Sequence, residues 1–333
     1  MCSFMKKVGL TYDLKTDYEF KENDPPDANA EFDHPSTIDV IAQAIESQGY
    51  KVKRIGNVSS LIENLDNLDV DIVFNISEGL YGRNRESQVP VLLEMKGVPF
   101  VGSDALTLSL TLDKVMAKKI FIAEKITTPK FFEIKNANSL TDIDHLKFPL
   151  IVKPRFEGSS KGLSDDSKVD NMEELKKQVE YITGAYKQPA LVEQFIRGEE
   201  FTVAVIGNDP AEIMPIVQIK IDGRLKLEDK FYTFAHIASD RLEYICPARV
   251  NNELKKKISD LALRTYNAVE CKDFGRIDFR VDSDGVPFVL EINPLPSLST
   301  EDVFMLVAKE IGISYEQIIG KILNSALERH SLN

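Results

Sequence analysis

The chain contains 333 residues, of which 43% are apolar and 28% are charged, and its formal net charge is −12. A chain of this length and composition can bury more than one core, so we expect a globular protein of two or three domains. The acidic balance argues against a nucleic-acid or anionic-membrane partner, because binding to phosphates at a surface needs a basic face.

Two further patterns narrow the class of protein. No stretch approaches the roughly 18 apolar residues of a membrane-spanning helix, and the first residues lack a signal-peptide pattern, so we expect a cytoplasmic protein without a membrane partner. The three cysteines, Cys2, Cys246 and Cys271, are odd in number and lack CxxC spacing. They therefore predict neither a disulfide framework nor a zinc site.

Strands and helices alternate from residue 1 to about residue 102. The strand patterns are "KVGLTYD", "YKVKRI", "VDIVFNIS" and "VPFVG". The helices between them are "STIDVIAQAIESQG", with Ser36 as N-cap and Gly49 as the stop, a short helix near Leu61, and "ESQVPVLLEMKG". This alternation favours a parallel sheet covered on both faces. The acidic segment 16–35 contains three prolines and predicts a long loop, of a kind that tends to be functional or mobile.

The pattern changes after a helical stretch from Leu106 to Glu124. The predicted strands are then "FPLIVKP", "PALVEQFI", "EEFTVAVIG", "AEIMPIVQI", "EYICPAR", "GRIDFRVD" and "VPFVLEIN". The predicted helices cover residues 172–182, 252–268, 301–311 and 315–329. Several strands in succession favour an α+β grouping that is distinct from the first sheet.

The last two strands predict a cluster of polar side chains. Asp284-Gly285 separates two alternating apolar runs, which is typical of a hairpin with a two-residue turn. In that register Asp278 lies opposite Glu291, and Arg276 lies opposite Asn293, all on one face. Two facing carboxylates and an amide suit Mg²⁺. The alternative is a solvated face on which arginines neutralise the acids, and it is less consistent with a shared face that ends in "NPLP".

Two shorter patterns are weaker on their own. In "IVKPRFEGSSKG" a lysine ends an apolar strand and precedes a Gly-Ser loop, which could bind phosphates through backbone N–H groups and hydroxyls. The pattern differs from the P-loop, and most Gly-Ser loops are simply turns. In "LVEQFIRGEE" the acids Glu193 and Glu200 favour a surface position when composition alone is considered.

Taken in order, these motifs resemble the ATP-grasp superfamily and, within it, the D-alanine:D-alanine ligases. The matching stretches run from "LLEMKGVPFVGSDALTLSLTLDKVMAKKIF" through "FPLIVKPRFEGSSKG", "LVEQFIRGEEFTVAVIG" and "CPARV" to "FGRIDFRVDSDGVPFVLEINPLPSLST". The resemblance implies a three-domain α/β and α+β architecture. Its expected parts are an N-terminal Rossmann-like substrate domain over residues 1–104, a central lid over 105–195, and a C-terminal domain with the Mg²⁺ site over 196–333.

The resemblance also implies roles for individual residues. ATP would contact Lys114 and Lys153 through its α- and β-phosphates, the segment Glu193, Gln194 and Ile196 through adenine, and Glu200 through ribose. Lys230 corresponds to a further ATP-site lysine. Two magnesium ions, with Mn²⁺ as an alternative, would be held by Asp278, Glu291 and Asn293, with Glu291 bridging. Ser159 and Ser160 would close over the γ-phosphate, and Arg276 would stabilise the transferring phosphoryl group. The partners implied are a small-molecule carboxylate and an amine, in a homodimer.

The substrate end departs from the family pattern. The usual "HGxxGEDG" becomes "NISEGLYGRNRE", which keeps the acids Glu78 and Glu86 but lacks the histidine. The closing turn is "PSLST", with Ser297 and Ser299, and Asp302 takes the place of a serine that holds the second substrate's carboxylate. Asp302 either shapes this pocket or simply begins the next helix, where negative charge is favourable.

We therefore expect an ATP-dependent carboxylate–amine ligase with altered substrate specificity. A kinase that shares the fold is the first alternative, since it would transfer phosphate to a hydroxyl and stop. A non-catalytic nucleotide-binding module is the second alternative. It is disfavoured because the expected lysines and oxygen ligands are all present.

Overall fold

The computed structural model describes residues 6–137, 147–237 and 239–332. The first part of the chain forms a four-stranded parallel sheet of order β2-β1-β3-β4, which confirms the predicted parallel sheet. Its strands are β1 (Lys7–Thr11), β2 (Lys51–Gly56), β3 (Ile72–Asn75) and β4 (Phe100–Val101). The helices connecting them are α1 (Pro35–Ser47), α2 (Val58–Asn64) and α3 (Gln88–Lys96), the last of which follows a 3-10 turn at Arg85–Ser87.

Helix α1 begins earlier than its sequence predicts. The predicted N-cap, Ser36, is wrong, because His34 occupies that position and Pro35 is the first helical residue. Proline is well suited there, since its fixed φ is helical and its missing N–H would have no partner in the first turn. The predicted stop is in place, since Gly49 lies directly beyond the helix with a φ of 88°.

A pair of helices leads into a second, antiparallel sheet. These helices are α4 (Ala105–Leu112) and α5 (Lys114–Ala123), so the single predicted stretch from 106 to 124 is interrupted. Asp113 makes the break, because its extended backbone ends α4 and its side chain caps the Met116 N–H of α5. The sheet has the order β5-β8-β6-β7. Its elements are β5 (Phe131–Ile134), β6 (Leu150–Pro154), β7 (Lys168–Val169), α6 (Met172–Ala185) and β8 (Ala190–Gln194).

The remaining strands form a third sheet of order β12-β11-β9-β13-β14, with β10 added beside β9. The strands are β9 (Glu199–Ile206), β10 (Glu212–Ile213), β11 (Val217–Ile221), β12 (Leu242–Ile245), β13 (Phe274–Val281) and β14 (Pro287–Asn293). The helices are α7 (Phe234–Ile237), α8 (Asn252–Ala268), α9 (Val303–Glu310) and α10 (Tyr315–Arg329). Helices α8 and α10 have the predicted bounds.

One hydrophobic core joins the first sheet to the third. Ile41 of α1 and Phe74 of β3 share this core with Phe274 of β13, Phe304 of α9 and Ile318 of α10. The C-terminal ends of the parallel strands are thereby held beside the last hairpin. Among the helices that the structure describes, none combines the length and the apolar character that a membrane span needs. Cys246 and Cys271 are free thiols, and Cys2 lies outside the described residues.

Candidate active site

The last hairpin has the predicted pairing at its functional end. Asp278 of β13 lies opposite Glu291 of β14, and Arg276 lies opposite Asn293. The predicted two-residue turn is wrong. The Asp282 N–H donates to the Val286 carbonyl and the Gly285 N–H donates to the Asp282 carbonyl, so three residues lie between the last pair. Gly285, with a φ of 73°, supplies the left-handed residue that such a turn requires.

A β-bulge restores the register. Beyond the turn Phe279 pairs with Val289, whereas the next pair is Asp278 with Glu291, so Leu290 is the extra residue. The pleat alternation is interrupted there, and both Leu290 and Glu291 line the same cavity. The bulge therefore brings an apolar wall and an acidic ligand to the site side by side.

A cavity of about 570 Å³ lies where the three sheets meet. Its volume falls within the range of about 300–1,000 Å³ that is typical of small-molecule sites. The residues predicted from the sequence that line it are Glu78, Glu86, Lys114, Lys153, Ser159, Ser160, Glu193, Gln194, Ile196, Glu200, Arg276, Asp278, Glu291, Asn293, Ser297, Ser299 and Asp302. Lys230 does not line it, because its ammonium is paired with Asp222.

Three lysines approach this cavity from α5 and β6. The Lys114 ammonium lies 2.9 Å from a Glu291 carboxylate oxygen, and the Lys153 ammonium lies 2.6 Å from Glu193. Lys118, which the sequence analysis missed, pairs with the other oxygen of Glu193. Its signal was available, since Lys118 follows Lys114 by four residues and shares its helix face. Burial lowers the pKa of Lys118 to about 8, whereas Glu193 acts in the opposite direction.

The metal-ligand candidates already lie close to cations. Burial opposes ionisation of Glu291, but Lys114 and Lys153 outweigh it and lower the pKa of Glu291 to about 2. Asp278 accepts hydrogen bonds from Thr202 Oγ1 at 2.5 Å and from Arg276 at 3.1 Å. Two carboxylates and the Asn293 amide on one hairpin face are the hard oxygen donors that fit Mg²⁺.

The Gly-Ser loop after β6 has a conformation suited to anion binding. Ser159 and Ser160 have φ values of 44° and 55°. Neither their backbone N–H groups nor their hydroxyls donate a hydrogen bond to any residue that the structure describes. Gly162, with a φ of 76°, is required, because an added Cβ would lie 2.5 Å from Pro154 Cγ. Successive free N–H groups in such a turn form a cradle for anionic oxygens, so the loop has the geometry of an anion-binding turn.

Acidic residues from the 16–35 segment hold this loop. Glu31 accepts a hydrogen bond from the Gly158 N–H at 2.6 Å and pairs with Lys161 at 3.2 Å. Asp27 accepts one from the Gly162 N–H at 2.8 Å. The sequence predicted only a long loop here, of a kind that tends to be functional or mobile. Neither acid could be identified, because the segment contains several acids and nothing in its pattern distinguishes these two.

Glu200, the expected ribose ligand, is held by an arginine. Its carboxylate accepts a hydrogen bond from Arg280 at 3.1 Å. Arg280 also donates to the backbone carbonyls of Glu228 and Lys230, each at 3.0 Å. Burial raises the pKa of Glu200, although Arg280 opposes this shift. Arg280 therefore fixes both Glu200 and the segment before β12 at the edge of the cavity.

The comparisons with known proteins give the family. The family described as "D-ala D-ala ligase C-terminus" matches residues 120–324. A D-alanine–D-alanine ligase of Carboxydothermus hydrogenoformans is 34% identical over 301 residues, which cover 88% of this chain and 93% of that protein. The chain belongs to the D-alanine–D-alanine ligase family. It is an ATP-dependent carboxylate–amine ligase with the ATP-grasp fold, and the family uses ATP with a divalent metal.

The chain is also similar to an uncharacterized protein and to a solved structure. The uncharacterized protein y4sG of Sinorhizobium fredii is 38% identical over 259 residues, or 78% of this chain and 75% of that protein. The crystal structure of the Bacillus anthracis D-alanine–D-alanine ligase complexed with ATP has a TM-score of 0.76 at 23% identity, over 98% of this chain and 99% of that one. That likeness shows a shared fold.

The substrate end of the ligase is rich in acids. Glu78 follows β3 and Glu86 lies in the 3-10 turn before α3, and both line the cavity with Glu31. Asp302 is the N-cap of α9, where it accepts a hydrogen bond from the Val303 N–H, and it lies 3.9 Å from Arg276. The helix-start interpretation of Asp302 is confirmed, and the same carboxylate also faces the cavity.

Proposed function

We propose that the protein activates a small carboxylic acid with ATP, as an acyl phosphate, and joins it to an amine. The observation that supports this most strongly is the shared cavity of Lys114, Lys153 and the three oxygen donors Asp278, Glu291 and Asn293. A carboxylate that attacks ATP brings one anion to another, so cations must offset the repulsion before transfer. This cavity has cations on one wall and metal ligands on another.

We propose for these residues the binding roles that the family resemblance implies. We assign Lys114 and Lys153 to the α- and β-phosphates. Adenine would meet Glu193, Gln194 and the backbone near Ile196, and Glu200 would receive the ribose hydroxyls. Since Lys118 also pairs with Glu193, that carboxylate keeps a cationic partner when Lys153 turns to a phosphate. Lys230 would reach the nucleotide only after leaving Asp222.

Asp278, Glu291 and Asn293 would hold the two magnesium ions that the family resemblance implies. When bound, the ions neutralise phosphate oxygens and orient them for in-line transfer. In their absence Lys114 and Arg276 neutralise the two carboxylates. The Glu291 carboxylate is thus kept ionised and needs no proton loss before metal binding.

Arg276, Ser159 and Ser160 would act on the transferring phosphoryl group. Arg276 carries a fixed positive charge toward the developing negative charge, because Asp278 and Asp302 raise its pKa against the effect of burial. Ser159 and Ser160 would donate N–H and hydroxyl groups to the transferring phosphate. Closure of their loop excludes water, which would otherwise hydrolyse the acyl phosphate.

We further propose the domain division 1–104, 105–195 and 196–333, with ATP between the second and third parts, and a homodimer. The division follows the three sheets. Proteolysis at the connecting segments, with and without nucleotide, and measurement of molar mass by light scattering would test these two points.

The acceptor end supports an altered specificity. Asp33, His34 and Asp302 line the cavity near Arg276, together with Ser297 and Ser299. Burial raises the pKa of Asp33 to about 7, and Asp302 adds to this shift although Lys15 opposes it. The negative charge of Asp302, and that of Asp33 in the fraction of molecules in which it is ionised, would repel a carboxylate on the acceptor. We therefore propose an acceptor amine that has no carboxylate at this point.

The test is a screen of carboxylate and amine pairs for ATP-dependent phosphate release, with hydroxylamine added in parallel. Formation of a hydroxamate from the donor and ATP would show the acyl phosphate. Phosphate transfer to a hydroxyl compound without hydroxamate would show a kinase instead, and nucleotide binding without any turnover would show a binding module.

A further inference from the structure

Three carboxylates from separate segments meet in one part of the cavity, which is called the donor end below. Glu31 comes from the 16–35 segment, Glu78 follows β3, and Glu86 lies in the 3-10 turn before α3. Each has a carboxylate oxygen within 4.8 Å of the others. Their chain positions are unrelated, so the cluster is created by the fold.

Glu31 is fully partnered. It lies 2.7 Å from Arg85 and 3.2 Å from Lys161, and it accepts the Gly158 N–H. Burial opposes its ionisation, but these partners lower the pKa of Glu31 to about 2. Its negative charge is therefore already balanced by protein cations.

Glu86 and Glu78 have no such partners. Glu86 is 7% exposed, and within the described part of the chain its carboxylate accepts no hydrogen bond and joins no ion pair. The same holds for the partly buried Glu78. Burial raises the pKa of Glu86 to about 7, although Arg85 opposes this shift. Burial also raises the pKa of Glu78 well above its usual value, and repulsion from Glu86 and Glu31 adds to the shift. A buried carboxylate without a partner is costly, which indicates that a ligand completes this site.

The charges nearby define what that ligand carries. Glu157 adds a fourth carboxylate. Lys161 and Arg85 neutralise the negative charges of both Glu157 and Glu31. Lys114 lowers the pKa of Glu86, but its ammonium is already paired with Glu291. Among the described residues, these four carboxylates thus share only the positive charges of Arg85 and Lys161, so two negative charges are unbalanced when all four ionise.

We infer that Glu78 and Glu86 bind ammonium groups of the carboxylate donor, and that this donor is a diamino carboxylic acid. The inference rests on the proposed ligase function and names its donor. The donor's carboxylate would face Lys114 and the metal ligands, and its two ammonium groups would lie at the opposite end against the acids. An ammonium donates three hydrogen bonds, which matches several carboxylates better than a neutral side chain does.

The test uses two probes with the same carbon skeleton, 2,4-diaminobutanoate and 2-aminobutanoate, in both enantiomeric forms. Each is titrated by calorimetry into the full chain with magnesium and a non-hydrolysable ATP analogue. We expect diaminobutanoate to bind at least about tenfold more tightly than aminobutanoate, and Glu86→Gln or Glu78→Gln to remove that preference. Glu46→Gln, on the exposed face of α1, is the matched control and should retain it.

Equal binding of the two probes by the unaltered protein would overturn the inference, and no variant is needed for that comparison. Binding of Mg²⁺ or Ca²⁺ alone that is lost in Glu86→Gln would also overturn it, because the cluster would then be a metal site. Hydroxamate formation with other donors but no preference for diamino acids would refute the inference and leave the ligase proposal intact. Preferential diaminobutanoate binding without hydroxamate from any donor would refute the ligase proposal instead.

Discussion

The Lys114 ammonium lies 2.9 Å from the Glu291 carboxylate, so a proposed phosphate ligand and the proposed bridging metal ligand are in direct contact. This pair spans the cavity from the first turn of α5 to the last strand of the third sheet. In the proposed roles each group would exchange its partner when ATP and metal bind, and Glu291 would need no proton loss, because Lys114 and Lys153 lower its pKa to about 2.

We expect Glu291→Gln to reduce turnover by more than about a hundredfold, a loss typical of removing a major electrostatic group from an active site. The hairpin should stay folded, because its pairing depends on backbone hydrogen bonds and on Ile292. Phosphate release against magnesium concentration, with a thermal melt, is the measurement. Asp284→Asn on the exposed turn is the control. Normal turnover with unchanged magnesium dependence would contradict the metal-bridge role.

Lys153→Ala should raise the KM for ATP by about tenfold or more, the scale of one charge-assisted hydrogen bond, and leave the KM for the amine nearly unchanged. Lys118 remains beside Glu193, so the buried carboxylate keeps one partner. Initial rates against each substrate separate the two constants, and Lys176→Ala on the exposed face of α6 is the control. Equal increases in both constants would move Lys153 out of the phosphate site.

Asp302→Ser tests the acceptor end with little effect on folding. Serine is also a good N-cap, so the free energy of unfolding should change by less than about 1 kcal/mol. Removing the negative charge beside Arg276 should shift the preferred acceptors toward simple α-amino acids such as alanine. The measurement is the ranking of an acceptor panel before and after substitution. An unchanged ranking would limit Asp302 to its capping role.

Glu86→Gln should stabilise the ligand-free protein, and the gain should grow with pH. The native carboxyl holds its proton up to about pH 7, whereas an unfolded glutamate loses it near a pKa of about 4.3. Between these values the native state binds more protons, so the stability of the unaltered protein falls as pH rises. The gain should reach on the order of 3–4 kcal/mol above pH 7 and be small at pH 4.

Urea unfolding of both proteins at pH 5 and pH 8 measures this difference. Glu46→Gln should follow the unaltered protein at both pH values. A gain that is equal at the two pH values would show that Glu86 does not titrate in this range in the native state.

The last hairpin shows which features of the site could be predicted from the sequence and which could not. The Asp-Gly signal and the period of two predicted the partners of Asp278 and Arg276 correctly. They could not predict the three-residue turn or the bulge at Leu290, because a regular alternation template contains neither. The turn shifts the pairing by one residue and the bulge shifts it back, so two local errors cancelled at the functional end.

The failure to identify Lys118 and Glu31 from the sequence has two different reasons. Lys118 was recoverable, since its spacing from Lys114 places both on one helix face. Glu31 was not, because its importance depends on contacts with Arg85 and Gly158, which are distant along the chain. The sequence did identify Glu78 and Glu86 as candidate substrate residues. That these two carboxylates have no partner among the described residues could be known only from the folded structure.

The hydrogen bond from the Gly158 amide to Glu31 makes the two substrates thermodynamically interdependent. Glu31 contacts the loop that would cover the γ-phosphate, and it also faces the donor end. A donor bound at Glu78 and Glu86 would lie beside Glu31 and help to hold it against the loop, so donor and nucleotide should bind with positive cooperativity. The factor by which the donor tightens nucleotide binding must equal the factor by which the nucleotide tightens donor binding. Glu31→Gln should bring this common factor closer to one in both directions.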